Sequence, residues 1–478
     1  MDLNKCKPVK TIIHEIKDAC PPLEVFARIS SKANVFFLDS ALPIKGISRY
    51  SFLGFNPFLT IKTKRRKIIL TDKDGVVVLD KHPFEYLQEL LQYFSQKNLS
   101  NSIPFQCGLV GYFSYDLCHY IEKLPCTAID DLGLPDIYMG LYDTIICYDH
   151  LLQKCSVIGV DFGLNGNIYD KITHTTEIVE RKSPPVKGCK NKKINNNTSP
   201  STPFQFNFTK ALYLEAIKHI KDYITAGDVY QVNLSQRIET QIDIPPRNLY
   251  LRLREINPAP FSCYLAFDDA AIASSSPERF LHVYNKHVHT RPIKGTRPRG
   301  VDLEADEMMK QELLSSTKDD AELTMITDLE RNDLGRVCDY GSVKVTTKKE
   351  LETYPTVHHL VSAVEGNLHE RYNFIGLLKA TFPGGSITGA PKVRAMQIID
   401  ELEPTQRSIY TGAIGYIGFN GNIDLNIAIR TFLIKGKKVY FQVGSGIVAD
   451  SDEEEEYKET MHKAKALIEA LKTVGFSY

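Results

Sequence analysis

Tryptophan is missing from all 478 residues, and so is any net charge: 58 Lys and Arg offset 58 Asp and Glu. A chain without a global field has nothing to draw it to nucleic acid or to an anionic membrane surface. No apolar run approaches the ~18–20 residues of a membrane-spanning helix. The N-terminal MDLNKCKPVKTIIHEI lacks the apolar centre of a secretory signal. Ten cysteines are scattered from Cys6 to Cys338 without a C-x-x-C or a regular spacing. They give no disulfide framework and fit reduced thiols in the cytoplasm. Three catalytic signatures are absent too: a G-x-S-x-G elbow, a G-x-G-x-x-G after a strand, and a Gly-Lys-Ser/Thr ending to the loop GGSITGAPK. No solenoid repeat or heptad array is visible.

What remains is an ordinary globular composition, 43% hydrophobic and 24% charged, over a length that supports a large core. Early strands are expected at Val35–Leu38, Ser51–Phe55, Leu59–Lys62, Ile68–Leu70 and Val76–Leu79, with a hairpin turn at Asp74-Gly75. His82–Gln96 carries Phe84, Leu87, Leu90, Leu91 and Phe94 at helical spacing. A Gly- and Tyr-rich stretch, Gly108–Leu117, leads into strand-like sequence at Tyr142–Tyr148 and Ser156–Val160. This is an antiparallel α+β pattern, without the regular strand–helix alternation of a doubly wound fold. Residues 181–204, rich in Lys, Asn, Ser and Pro, read as an exposed linker between 8–180 and 205–470.

Past the linker, Thr209–Ala226 is an amphipathic helix stopping at Gly227. Strands follow at Val229–Ile238, Ser262–Phe267, Ala271–Ser275, Phe280–Tyr284 and His287–Thr290. A long helix is expected over Leu303–Asp328. Pro383–Gly389 is a glycine-rich loop opening a helix with Pro391 at its first position. Strands at Ile414–Phe419, Asp424–Leu433 and Lys438–Val443 precede a last helix over Asp452–Thr473.

The chemistry centres on RPIKGTRPRG, Arg291–Gly300. Lys294 sits there among arginines, and a lysine near other cations and shielded from water is disfavoured in its charged form, as a nucleophile requires. The plain alternative is a lysine in solvent, since PIKG also occurs at Pro43–Gly46 with nothing chemical around it. Glu456 and Glu459 share a helix face, with Lys463 one turn on, and Asp319 and Glu322 have the same spacing. Two such carboxylate pairs suit a hard cation; an acidic run opening a helix also suits the dipole. Glu278, in SSSPERF, is a candidate acid that could instead pair with Arg279. His358 and His359 lie in apolar sequence and, on the residues alone, read as core histidines satisfied by a backbone bond. Arg430, in NIAIRT, looks like a cation awaiting a ligand carboxylate. The glycine-lined VGSGIV and SITGA segments offer backbone N–H groups to anions.

These residues belong to a set of blocks that resembles one family. They are GDVYQVNLSQR (Gly227–Arg237), SSSPERF, PIKGTRPRG, DLERNDLGRV (Asp328–Val337), VHHLVSAVEG (Val357–Gly366), FPGGSITGAPKVRAM (Phe382–Met396), YTGAIGYIG (Tyr410–Gly418), DLNIAIRT (Asp424–Thr431) and VGSGIVADS (Val443–Ser451). Together they resemble the chorismate-binding catalytic domain shared by anthranilate synthase component I, aminodeoxychorismate synthase component I and the isochorismate and salicylate synthases. Residues 8–180 are similar to the family's N-terminal region through FLDS, SRYSFLG and GYFSYDL.

The resemblance implies the chorismate-utilising fold: mostly antiparallel sheets packed together, helices outside, both regions in one compact body. It implies Mg2+ held by Glu322 and Glu459 with Glu456 and Asp319 nearby. Catalytic roles fall on Lys294, Glu278, His359 and Thr388, and chorismate contacts on Arg430, Lys463, Tyr410, Gly446, Gly389 and Thr296. Anthranilate synthases typically carry PIAGT where this chain has PIKGT, the form typical of the aminodeoxychorismate branch. The resemblance to that branch implies a transferase making 4-amino-4-deoxychorismate, for p-aminobenzoate and folate, through a covalent Lys294 intermediate. The anthranilate reaction is the alternative. No glutamine-hydrolysing motif is present, so the ammonia is expected from a separate glutamine amidotransferase subunit. A tryptophan pocket is implied around Ser40, Tyr50, Ser51, Pro258 and Phe261, with Asp39 and Phe261 departing from the family pattern.

Overall fold

The strand-forming runs of both regions pair only antiparallel, and they do so in two twelve-stranded sheets. The structure is a computed structural model and describes residues 10–95, 103–163, 166–180, 203–355 and 357–472. The expected linker lies outside these except for Pro203 and Phe204. One sheet runs from Lys10–Ile16 through Lys154–Asp161, Thr144–Asp149, Tyr50–Gly54 and Phe36–Asp39. It continues into Phe261–Phe267, Ala270–Ser276, Thr431–Lys435, Lys438–Ile447 and Gln231–Gln241. The other runs from Ile293–Pro298 through Val357–Asn367, His287–Arg291, Arg279–Tyr284, Ile423–Ile427 and Ala413–Gly418. It then crosses to Gly108–Phe113, Ile137–Tyr142 and Leu59–Lys64, ending in the hairpin of Lys67–Asp72 and Gly75–Asp80.

Each sheet therefore passes from one region to the other through a full strand pair. Asp39 lies opposite Ser262 in the first sheet, and Gly111 opposite Gly415 in the second. At that second crossing the backbones come so close that a Cβ on Gly108, opposite Gly418, would stand 2.2 Å from Ile417 O. Between the sheets, aromatic rings take the volume that tryptophan does not supply. Phe105 stacks on Tyr416 at 4.3 Å, and Phe36 meets Tyr142 edge-on at 4.6 Å. Ring pairs of this kind add about 0.5–1.5 kcal/mol beyond their buried area.

Local signals explain most helix ends. Thr209 caps Lys210–Thr225 by accepting from Leu212 N–H. The single helix expected over Leu303–Asp328 is two, Leu303–Ser315 and Thr317–Gly335. Ser316 breaks it: its backbone turns extended and its hydroxyl accepts from Asp319 N–H at 3.2 Å, starting a new helix. Pro391 is the N-cap of Lys392–Leu402, not its first residue. The strand expected over Asp424–Leu433 also divides, into Ile423–Ile427 and Thr431–Lys435, because Arg430 adopts φ +50°. Tyr142–Tyr148 spans a strand end and the next strand, Thr144–Asp149. The expectations did not include the helices Pro22–Ile29, Ile168–Glu180, Pro246–Ile256 and Phe374–Thr381, nor the strands Lys10–Ile16 and Lys344–Thr353. No described helix is long and apolar enough to cross a membrane.

Candidate active site

Lys294 enters the interior through a backbone irregularity. Ile293–Pro298 pairs with Val357–Asn367, but the register shifts between Lys294 and Thr296, where Gly295 takes φ +74°. A Cβ at that glycine would be strained and would press on Leu313 and Asp319 at 2.9–3.0 Å. The lysine side chain is 12% exposed, with Nζ 3.9 Å from Glu322 Oε2. It stands over Gly446, where an added Cβ would lie 3.5 Å from Nζ and 2.5 Å from Gln231 Nε2. Glycine at 446 keeps that floor open.

The cationic surroundings expected from Arg291 and Arg297 are not what Lys294 meets. Arg291 pairs with Glu352, and Arg297 with Glu312 at 2.7 Å and Asp319 at 3.1 Å. Both guanidiniums are neutralised by residues too distant in sequence to be read from the motif.

Glu278 is 4% exposed and closes the turn between Ala270–Ser276 and Arg279–Tyr284. It is not paired with Arg279, which binds Asp424 through two bonds of 2.9 Å. Glu278 Oε1 accepts from Ile293 N–H at 3.3 Å, the residue before the lysine. Desolvation raises its carboxyl to about 7, against the nearby Ser386 hydroxyl, the Ile293 N–H and the charges of Lys294 and Lys463. An acid held there is protonated for a substantial fraction of the time at neutral pH.

The two histidines separate by their partners. His358 is satisfied at both nitrogens, by Thr353 and by Asp306 at 2.9 Å, and is structural. His359 Nδ1 meets Thr296 Oγ1 at 2.8 Å, whereas its Nε2 is buried without a partner. Burial, with Arg430 adding to it, pushes His359 down to about 3, so the ring is neutral. Arg430 donates to Asn257 Oδ1 at 3.3 Å, and no described carboxylate lies within ion-pair distance of it. Burial lowers even this guanidinium below its usual value.

The glycine-rich loop is set by a buried pair. Arg407 bonds Glu403 at 2.7 and 2.9 Å and donates to Ile387 O and Asn233 O, joining the loop to the strand Gln231–Gln241. Thr388 Oγ1 donates to Gly384 O at 2.9 Å. Gly389 has φ +142°, and a Cβ there would meet Gln231 O at 2.1 Å. Lys463 donates to Gly444 O at 2.9 Å and pairs with Glu459 at 2.7 Å. Tyr410 OH approaches the same glycine, which an added Cβ would bring to 3.1 Å. Lys294, Lys463, Tyr410 and Gln231 thus converge on Gly444–Gly446.

Carboxylates of two helices face one another beside this floor. Glu322 accepts from Gln231 Nε2 at 3.1 Å. Glu456, 3% exposed, accepts from Ser451 at 2.6 Å through Oε1, which also lies 3.4 Å from Lys318 Nζ. Glu322, Glu456 and Glu459 all raise the Lys318 ammonium, so the three lie around one cation. Asp319 is already engaged by Arg297. No three acidic, histidine or cysteine side chains among the described residues form a ready-made cage. Mg2+ ordinarily asks for less: one or two carboxylates, with waters and substrate oxygens completing the shell. The donors fit that requirement, and Glu456 Oε2 is buried without a partner.

Such orphaned atoms gather here. Asn233 Nδ2, His359 Nε2, Ser386 Oγ, Ser445 Oγ and Glu456 Oε2 are all buried and unbonded on the elements just described. Each costs about 1–3 kcal/mol if left unpaired, which points to a polar ligand that satisfies them. Asn233, Ser386 and Ser445 were not singled out from the sequence, although each sits inside a block that was.

A separate cavity of about 820 Å³ lies toward the N-terminal region, lined by Ser40, Tyr50 and Phe261 of the expected tryptophan pocket. Ser51 and Pro258 are not on its wall: Ser51 bonds Ser40 N–H and His150. Asp39 is taken by Arg254 and Tyr250. Arg279 lies over the Phe261 ring at 4.7 Å.

Comparison with known proteins gives the same direction. The family described as chorismate binding enzyme matches residues 39–469. Anthranilate synthase component 1 of Acetivibrio thermocellus is 40% identical, covering 95% of this chain and 93% of that protein. Aminodeoxychorismate synthase component 1 of Salmonella typhimurium is also 40% identical, over 93% and 95%. The crystal structure of anthranilate synthase component I from Streptococcus pneumoniae superposes with a TM-score of 0.76 at 31% identity. It covers 97% of this chain and 100% of its own.

Proposed function

This chain belongs to the chorismate-binding enzyme family, and on that premise we propose that it aminates chorismate at C4. The product is 4-amino-4-deoxychorismate, a precursor for p-aminobenzoate and folate, made in the cytoplasm with ammonia from a glutamine amidotransferase subunit. The observation that carries this reading is the amine at position 294, held over Gly446 and beside Glu322. The anthranilate branch typically has a methyl group there.

Arg430 and the backbone N–H groups near Gly446 receive the enolpyruvyl carboxylate, with Lys463 alongside. Bound Mg2+, held by Glu322 and Glu459 with Glu456 and Asp319 beside them, would neutralise and align the ring carboxylate. Lys294 Nζ forms a bond to C2, both ring double bonds shift toward C4, and the C4–oxygen bond breaks. Glu278 gives its proton to the departing hydroxide, which leaves as water. Ammonia then adds at C4, the bond to Lys294 breaks, and the new ammonium returns a proton to Glu278. His359 and Thr388 fix the ring between these groups.

Identification of the product formed from chorismate, Mg2+ and an ammonium salt tests the reading. A relative named anthranilate synthase at equal identity favours one alternative, and a fluorescent aromatic product released with pyruvate would establish it instead.

A further inference from the structure

Arg430 stands between the strands Ile423–Ile427 and Thr431–Lys435 at φ +50°. A long side chain takes that left-handed backbone only where its surroundings fix it. Two contacts do so here. Ser275 N–H donates to Arg430 O at 3.1 Å, and the guanidinium donates to Asn257 Oδ1 at 3.3 Å. Asn257 is 4% exposed and ends the helix Pro246–Ile256, its own N–H donating to Leu253 O at 2.8 Å. Ser275, fully buried on the strand Ala270–Ser276, reaches the Asn257 side chain as well. One serine thus ties down both the backbone of the arginine and the amide that holds its guanidinium.

The hydrogen-bond roles leave that amide one orientation. Ser275 Oγ has a single proton and gives it to Asn257 O, a carbonyl that can only accept. Toward the Asn257 side chain, 3.2 Å away, the same oxygen is then an acceptor and must face the amide nitrogen. Oδ1 is thereby turned to Arg430. It is an acceptor without charge, so it fixes one N–H group and leaves the guanidinium's charge and its other donors to a ligand. The buried arginines Arg279 and Arg407 are neutralised by Asp424 and Glu403. Among the described residues, Arg430 has no such partner and is held by Asn257 alone.

We propose that Asn257 is a positioning residue that aims Arg430 at the enolpyruvyl carboxylate of the substrate while leaving its charge free. The inference rests on the proposed contact of Arg430 with that carboxylate. Asn257 does not touch the substrate; it acts through the guanidinium. Asn257→Ala removes the aim and keeps the charge. Asn257→Asp keeps the shape but sets an anion against Arg430, which then competes with the substrate for the same donors. It also turns a carboxylate oxygen toward the accepting side of Ser275 Oγ. Aspartate, the closer match in shape, is therefore the more damaging replacement for binding. A role confined to packing orders the two variants the other way.

The test is calorimetric binding of two ligands, with Mg2+ present and ammonia absent. One is chorismate; the other is its analogue with the enolpyruvyl carboxylate replaced by a neutral primary amide. The readout is the preference for acid over amide in wild type, Asn257→Ala, Asn257→Asp and Arg430→Met. A general loosening of the site weakens both ligands alike and leaves that ratio unmoved. The preference should fall about tenfold in Asn257→Ala and about a hundredfold in Asn257→Asp. At saturating chorismate, kcat of Asn257→Ala should stay within about threefold of wild type, because the lost contact is one of binding. A wild-type preference in both Asn257 variants, or a smaller loss with aspartate than with alanine, overturns the proposal. Should the Asn257 variants not fold, Ser275→Ala decides: it frees the amide to turn and must lower the preference, and a wild-type ratio there refutes the idea. Arg430→Met should abolish the preference; if it does not, the carboxylate contact falls and the positioning role with it. Because nothing is turned over, a product other than 4-amino-4-deoxychorismate would end the amination reading and leave this one standing.

Discussion

Replacing Lys294 with alanine should abolish C4 amination while leaving the fold intact. Among the described residues, the only ion pair at this lysine is its 3.9 Å approach to Glu322. At an effective dielectric of 20 the gross attraction there is about 4 kcal/mol, and desolvation of the two charges offsets most of it. Glu322 keeps its bond from Gln231, so the net stability cost should be about 1 kcal/mol. The catalytic cost is of another size. Without the nucleophile, ammonia must displace hydroxide from a dianionic ring in one step. A rate loss of at least about 10³-fold is expected, some 4 kcal/mol of barrier. The open floor at Gly446 also leaves room for ammonia to add at C2, as in the PIAGT branch. Lys294→Arg should be worse than alanine, since the guanidinium stays charged and fills that space. The decisive assay is mass spectrometry of intact protein with chorismate and Mg2+ but no ammonia, followed by peptide mapping. An adduct should map to the Lys294 peptide and disappear on adding ammonia. Wild-type rate and product from Lys294→Ala, with no adduct in the wild type, would falsify the covalent role.

Three further outcomes follow from the geometry. Glu278 titrates near 7 in the fold and near 4.5 when unfolded, so the unfolded state ionises first as pH rises. Stability should fall between about pH 4.5 and pH 7 by up to about 3 kcal/mol; Glu278→Gln should be inactive yet melt higher than wild type at pH 8, and an unchanged melting profile would contradict the burial cost. Glu322→Gln and Glu459→Gln should each weaken Mg2+ dependence sharply, whereas Glu453→Gln, which loses only a surface pair with Lys221 at 3.2 Å, should be nearly silent. Equal metal titrations for all three would make the acidic run a helix start and no more. Cleavage within residues 181–202 should leave the fragments together on a sizing column, because each sheet crosses between the regions through a full strand pair; free separation with full activity in the second fragment would refute that coupling.

Much of this molecule was present in the order of its residues. Alternation and turn chemistry located the hairpins, Thr209 and Gly227 bounded a helix, and the i, i+3 acids placed two carboxylate pairs on helix faces. These are short-range properties, set by a period of two or of 3.6 residues and by a few capping atoms. The motif blocks likewise marked Lys294, Glu278 and Arg430 as chemical. What surrounds each of them did not follow. Arg291 and Arg297 look like cations crowding the lysine until Glu352 and Glu312, from other elements, neutralise them. Glu278 looks like the partner of its neighbour Arg279 until Asp424, 145 residues away, takes the guanidinium. His358 and His359 are adjacent in the chain, yet Asp306 satisfies one while the other keeps a bare nitrogen. The irregular backbone at Gly295 and Arg430 also arises only once the sheets have formed. Burial and charge pairing are sums over everything packed nearby, and those neighbours come from strands and helices that local sequence does not bring together.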